Sequence, residues 1–399
     1  MSTFSVAVHI NTINTKIIFI LFIYLYNVIV KCNIMKMFLS EDTTNLGRQH
    51  EFDYAKVIAI IFMVLIHVWE ELSCFDYHEL IPTGFWHNLL QFGAGPLAAP
   101  LFMFAMGVGI CYSKHRTPKE LLYRGISLFL LGYILNIFRN GIYYAIYYGI
   151  NDNFDLSELI YQLFNGDIFH FAGLTFILVS LFKKTEMPVL VMGGLSIIMQ
   201  IIGNYLSINA PVSGGLSYIV GHFYFSEKCF FPLLQWFIYP ASGIVFAKFL
   251  RRVIDKDRFY YSILGISSVL LIGLCSAMYF AGYDIKNLYI LTNDSYYKQE
   301  FLHSSFTILV ILIELSILYF ISNKIESDSI NNTVNYISNN LNSIYVIQWM
   351  LVGTTAFIIM MFNIEKFNAT TSILVGFVFV VLSVVISKIY TKLTHKNKH

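Results

Sequence analysis

Charge is scarce in this chain. Of its 399 residues only 13% are Asp, Glu, Lys or Arg, against 57% apolar, whereas a soluble domain carries roughly 25% charge to keep its surface solvated. The deficit excludes a water-covered globular fold and makes membrane lipid the expected solvent of the outer surface. No polar stretch is long enough to form a separate soluble domain. A net charge of +2 is too small to hold a nucleic-acid partner. The five cysteines (Cys32, Cys74, Cys111, Cys229 and Cys275) are scattered, without a CxxC pair or nearby His pairing, which argues against a zinc or thiol-redox motif. Cys74 and Cys229 both fall on the expected outer side, so one disulfide between them is conceivable. A Gly-rich phosphate loop, a Ser nucleophile elbow and a metal-ligand cluster are missing as well. No metal and no permanently bound cofactor is therefore expected.

What is present is a series of apolar runs. A bilayer-spanning helix needs about 20 mostly apolar residues, and such runs fall near 54–73, 92–112, 122–138, 167–182, 187–206, 230–249, 261–281, 302–322, 340–362 and 370–390. These are too long for the roughly 10-residue alternating strands of a membrane barrel. The expected fold is an all-α, polytopic transmembrane helix bundle with about ten core spans. An eleventh run, 17–30, is either an extra helix or precedes a true start at Met35 or Met37. The chain thus divides into an N-terminal segment (1–47), a transmembrane domain (48–392) and a short basic tail (393–399).

Basic residues set the orientation. Lys114, Arg116, Lys119 and Arg124 fill the connection after the second span, Lys183 and Lys184 follow the fourth, and Lys248, Arg251, Arg252, Lys256 and Arg258 follow the sixth. These are alternate connections, so by the positive-inside rule they face the cytoplasm. The segment 70–80 carries Glu70, Glu71, Asp76 and Glu79 and no base. An integral, multi-pass protein of a bacterial plasma membrane is expected, with both ends of the core cytoplasmic.

Ionisable groups inside a span are costly and mark function. The first core span carries Lys56 near its start and His67 deeper in. Eleven residues on a helix are three turns plus about 20°, so the two share a face and stand about 16 Å apart along the axis. Glu70 and Glu71, three and four positions beyond His67, are placed to orient its ring. The bland alternative is a snorkelling Lys56 and a packed helix histidine.

The stretch Phe52-Asp53-Tyr54-Ala55-Lys56, with ten residues between Lys56 and His67, resembles the opening of the acyltransferase family 3 membrane proteins. The element Pro100-Leu101-Phe102-Met103-Phe104-Ala105-Met106-Gly107 is similar to the second helix of that family and of the heparan-α-glucosaminide N-acetyltransferase-like proteins. Tyr123-Arg124-Gly125 and Gly166-Asp167-Ile168-Phe169-His170 are more similar to the latter group. Asn342-Ser343-Ile344-Tyr345-Val346-Ile347-Gln348-Trp349 resembles an element of the ninth helix, with Gln348 where many relatives have His. The likeness is strongest over 50–182.

The resemblance implies transfer of an acyl group, usually acetyl, from cytosolic acyl-CoA (acetyl-CoA) to a sugar or glycan acceptor at the membrane. Lys56 would hold the donor, with Arg116 and Arg124 beside its phosphates, and His67 would be the general base. That last role suits an imidazole with an ordinary pKa near 6.5. His87 is a rival, near the active histidine of the heparan-type enzymes, although no acid stands between it and Pro100. At the edge of its span it also reads as part of the interfacial aromatic belt. Asn136, Arg139, Asp167 and His170 would converge on an outer vestibule for the sugar, with Asp167 equally able to begin a helix. Glu314 is an isolated acid in the eighth span; it supports the alternative of a transporter or flippase of a lipid-linked or small polar solute.

Overall fold

The computed structural model describes residues 39–74, 84–115, 117–151, 154–291 and 294–396. The run at 17–30 lies outside them. Among the described residues there is no β-strand, and nine helical stretches are long and apolar enough to cross a membrane. In chain order the longer helices are α1 (His50–Leu72), α2 (Phe85–Ala94), α3 (Ala99–Tyr112) and α4 (Pro118–Asn136). They continue with α5 (Ile142–Ile150), α6 (Leu156–Phe164), α7 (Ile168–Lys184) and α8 (Val189–Asn209). Then come α9 (Ile238–Leu250), α10 (Lys256–Phe280), α11 (Phe301–Ser322), α12 (Asp328–Asn339), α13 (Leu341–Met361) and α14 (Ala369–Lys396).

Three boundaries depart from the hydropathy reading, each for a local reason. The second span starts earlier, at Phe85, and is interrupted between Ala94 and Ala99, where Gly95-Pro96 cannot sustain helical hydrogen bonding. The third runs on past 138, because a π-helical turn at Ile137–Gly141 joins α4 to α5 without breaking the rod. The fourth, α7, has only 17 residues, about 25 Å at 1.5 Å per residue, less than the roughly 30 Å hydrocarbon thickness. It ends on Lys183 and Lys184 and starts at Asp167, which is buried. The helix therefore begins inside the bundle.

Two compact units are present. In one, residues 39–47 lie along 249–262: the Ser40 N–H donates to the Arg252 carbonyl over 2.7 Å, and the Asn45 amide donates to the Leu250 carbonyl over 3.1 Å. The other comprises 48–248 and 263–399, and in it α1 is the central element, touching α2, α3, α11, α12, α13 and α14.

Between helices in lipid the hydrophobic effect gives no net attraction, so close approach of backbones has to supply the contact. The pair α4 and α7 shows this directly: a Cβ on Gly125 would lie 2.7 Å from the Gly173 carbonyl oxygen, and one on Gly173 would lie 2.7 Å from that of Gly125. At the start of α4, Thr117 and Glu120 form a reciprocal capping box around Pro118, satisfying N–H groups that the first turn leaves open.

Candidate active site

The site is built on α1. Near its start, Asp53 accepts Arg48 Nε at 2.6 Å and the Ser338 hydroxyl at 2.5 Å. The Lys56 ammonium lies 3.4 Å from that same Ser338 oxygen and makes no ion pair among the described residues. It lines a cavity of about 480 Å³, within the roughly 300–1,000 Å³ range of small-molecule sites. Arg124 of α4 lines the cavity too, its guanidinium 4.5 Å from the Phe176 ring centroid. Two of the three basic residues expected to hold the donor thus line one cavity; Arg116 lies outside the described residues. The rest of the lining includes apolar side chains (Met63, Met103, Met106, Phe171), the mostly polar stretch 338–343, and Phe169 and Tyr345.

Tyr345 leads to His67. Their ring centroids are 6.3 Å apart, and Trp349, one turn further along α13, stacks on the His67 ring at 4.0 Å. His67 Nδ1 is 3.2 Å from Gln348 Oε1. The imidazole is half-buried and its Nε2 has no hydrogen-bond partner among the described residues. It lies 17 residues along α1, about 25 Å from the helix start.

The residues expected to form a vestibule do converge, and they do so beside His67. The Arg139 guanidinium sits 4.4 Å over the Trp349 ring and pairs with Asp167 Oδ2 at 2.8 Å. The Tyr345 hydroxyl donates to that same carboxylate oxygen, also at 2.8 Å. Arg139 Nη2 donates to Asn136 Oδ1 at 2.9 Å, and Asn136 in turn donates to the Asn165 carbonyl at 2.9 Å. Arg139 lies in the π-helical turn, a departure from α geometry that recurs at functional sites. Asp167 is also the N-cap of α7: its Oδ1 takes the Ile168 N–H, and its own N–H donates to His170 Nδ1 at 3.1 Å. One carboxylate thus both begins the helix and pairs with Arg139 and Tyr345.

His170 opens a second cluster. Its ring packs on Tyr133 at 4.3 Å and faces His222 at 5.2 Å, in space left by Gly132, where a Cβ would lie 2.5 Å from the ring. His222 Nε2 is 3.1 Å from the Tyr133 hydroxyl, and its Nδ1 is 3.6 Å from Cys229 Sγ. Burial lowers the His222 imidazole to about 4 and raises the Cys229 thiol to about 12. In the unfolded chain His222 takes a proton near pH 6.5, but the folded protein refuses it down to about 4. Stability from this neutral imidazole is therefore present above pH 6.5 and lost as pH falls toward 4. The melting temperature in detergent is expected to drop over that window, and more shallowly in His222→Gln.

Other expectations resolve differently. The His67 ring nitrogen is held by Gln348 of α13 and not by Glu70, whose Oε1 is buried without a hydrogen-bond partner among the described residues. His87 belongs to α2 and is buried, 6.3 Å from Trp69, not exposed at a belt; neither ring nitrogen has a hydrogen-bond partner among the described residues. Cys74 and Cys229 are both free thiols, one exposed and one buried. Trp349, His222 and Cys229 were not singled out as site residues. Trp349 stood at the end of a recognisable motif, whereas nothing in the local sequence of the other two signals their roles.

Fold and site together define a multi-pass helical membrane protein in which a His–Arg–Asp–Tyr constellation adjoins, through Tyr345, a cavity lined by Lys56 and Arg124. Residues 48–281 match the family model for heparan-alpha-glucosaminide N-acetyltransferase, catalytic, and the chain belongs to that family of membrane acetyltransferases. No curated protein and no solved structure matches it. The match extends beyond the 50–182 likeness and covers Lys56, His67, His87, Arg139 and Asp167, while Tyr345, Gln348 and Trp349 come from beyond it.

Proposed function

We propose that this protein transfers an acyl group, acetyl in the first instance, from cytosolic acyl-CoA to a hydroxyl or amine of a carbohydrate or cell-envelope glycan. The observation that carries this reading is one cavity lined by Lys56, Arg124 and Tyr345, the last with its ring 6.3 Å from that of His67. With Lys56 and Arg124 on the cytoplasmic side, the two cations meet the donor's phosphates and the apolar lining leads its acyl end toward His67. His67 Nε2 takes the proton as the acceptor oxygen or nitrogen attacks the thioester carbonyl carbon. The tetrahedral intermediate collapses by breaking the C–S bond, and the departing CoA thiolate receives the proton. The Asp167–Arg139–Tyr345 group borders the acceptor, with Asn136 and His170 supporting it from behind. His87 is the alternative base.

The test is transfer of labelled acetyl from acetyl-CoA in isolated membranes. Lys56→Ala and Arg124→Ala are each expected to raise KM for acetyl-CoA about 10-fold or more, the size of one lost charge-assisted hydrogen bond, with kcat little changed. A KM unaltered in both variants removes the donor assignment.

One observation favours the transporter reading: both carboxylate oxygens of Glu314, on α11, are buried without a hydrogen-bond partner among the described residues. Solute uptake into proteoliposomes without any acyl donor, lost in Glu314→Gln, would establish it instead.

A further inference from the structure

Gln348 lies outside the segment that matches the family, yet it makes the one hydrogen bond to His67 among the described residues. Its side chain is completely buried, and its Nε2 amide has no hydrogen-bond partner there. A buried amide donor left unsatisfied costs about 1–3 kcal/mol, so this one calls for a partner from outside the described residues, a water or a ligand atom.

We infer that Gln348 is a catalytic residue with two functions in one carboxamide. Its Oε1 accepts the Nδ1–H of His67, which fixes the tautomer whose lone pair is on Nε2 and available to take the acceptor's proton. Its Nε2–H₂ donates to the thioester oxygen as that atom gains negative charge. The electron pair of the C=O π bond moves onto this oxygen when the acceptor bond forms. It returns as the C–S bond breaks and CoA leaves as the thiolate, to be protonated by His67. The donor stays shielded from water throughout, which is where such a hydrogen bond is strongest. The role rests on the acyl-transfer reading above.

Two substitutions separate the functions. Gln348→Glu keeps an acceptor for Nδ1–H and loses the amide donor, whereas the near-isosteric Gln348→Met loses both. With labelled acetyl-CoA and glucosamine as probes, Gln348→Glu is expected to lower kcat about 10²–10³-fold, as for removal of one oxyanion donor. KM for acetyl-CoA should stay within about threefold, and Gln348→Met should be at least as impaired. Melting temperatures in detergent control for folding; should the glutamate variant not fold, the methionine variant alone carries the test. A kcat within about threefold of the parent in Gln348→Met, or a loss confined to KM, overturns the inference. Gln348→Glu at the parent rate overturns the donor role. Absence of transfer by the parent protein overturns the acyl-transfer reading itself, and this role with it.

Discussion

Replacing His67 by alanine is expected to reduce acyl transfer by about 10²–10⁴-fold, the usual contribution of a positioned general base. The expectation rests on how thoroughly the ring is oriented. Trp349 stacks on one face, Gln348 holds Nδ1, and Nε2 alone is left without a partner among the described residues. Because His67 is not among the residues that line the cavity with Lys56 and Arg124, KM for acetyl-CoA should change little while kcat falls. Initial rates with labelled acetyl-CoA in membranes, normalised to folded protein, measure both. His87→Ala belongs in the same experiment. It is expected to fall less, since His87 packs beside Trp69 without a hydrogen bond holding either nitrogen. Undiminished transfer in His67→Ala together with loss in His87→Ala would move the base to α2.

The second large effect concerns stability. Arg139 and Asp167 are buried, and their 2.8 Å pair joins the π-helical turn after α4 to the start of α7. Removing one partner of a buried ion pair costs about 3–5 kcal/mol, because the other charge remains desolvated. Arg139→Met is expected to destabilise the protein by that amount, with Asp167 still bonded by Tyr345 and the Ile168 N–H. Asp167→Leu should be at least as damaging, since α7 also loses its cap. The double variant Arg139→Met/Asp167→Leu should be more stable than the sum of the two losses, because no uncompensated charge is left. Unfolding midpoints in detergent compare the three; strict additivity would show that the pair contributes no coupling.

Much of the architecture was legible in the residues. The scarcity of charge and the length of the apolar runs required a polytopic helical bundle, and nine described helices meet that requirement. Lys56 and His67 on one face of α1 followed from helix periodicity alone. The grouping of Asn136, Arg139, Asp167 and His170 came from their places at the ends of neighbouring spans. Where the reading missed, the cause was interaction across the sequence. Glu70 is adjacent to His67 in the chain, so it was the natural partner by spacing. The actual partner, Gln348, is 281 residues away and meets the ring only because α13 packs on α1. His222 and Cys229 come together in a connection between spans, where no periodic pattern exists to place them.

The amino-acid order by itself determined that this chain is built of membrane-length apolar helices, where most of those runs lie, and which helix carries Lys56 and His67. Those are properties of single segments: apolar length, 3.6-residue periodicity and the cost of an ion in hydrocarbon. Only the tertiary structure decided what the charges touch. The start of α7 inside the bundle rests on backbones meeting at Gly125–Gly173, Gly353 of α13 lies against the Arg139 carbonyl in the π-helical turn, and α13 packs on α1. These contacts turned a histidine with two plausible acidic neighbours into one held by a glutamine and stacked on a tryptophan.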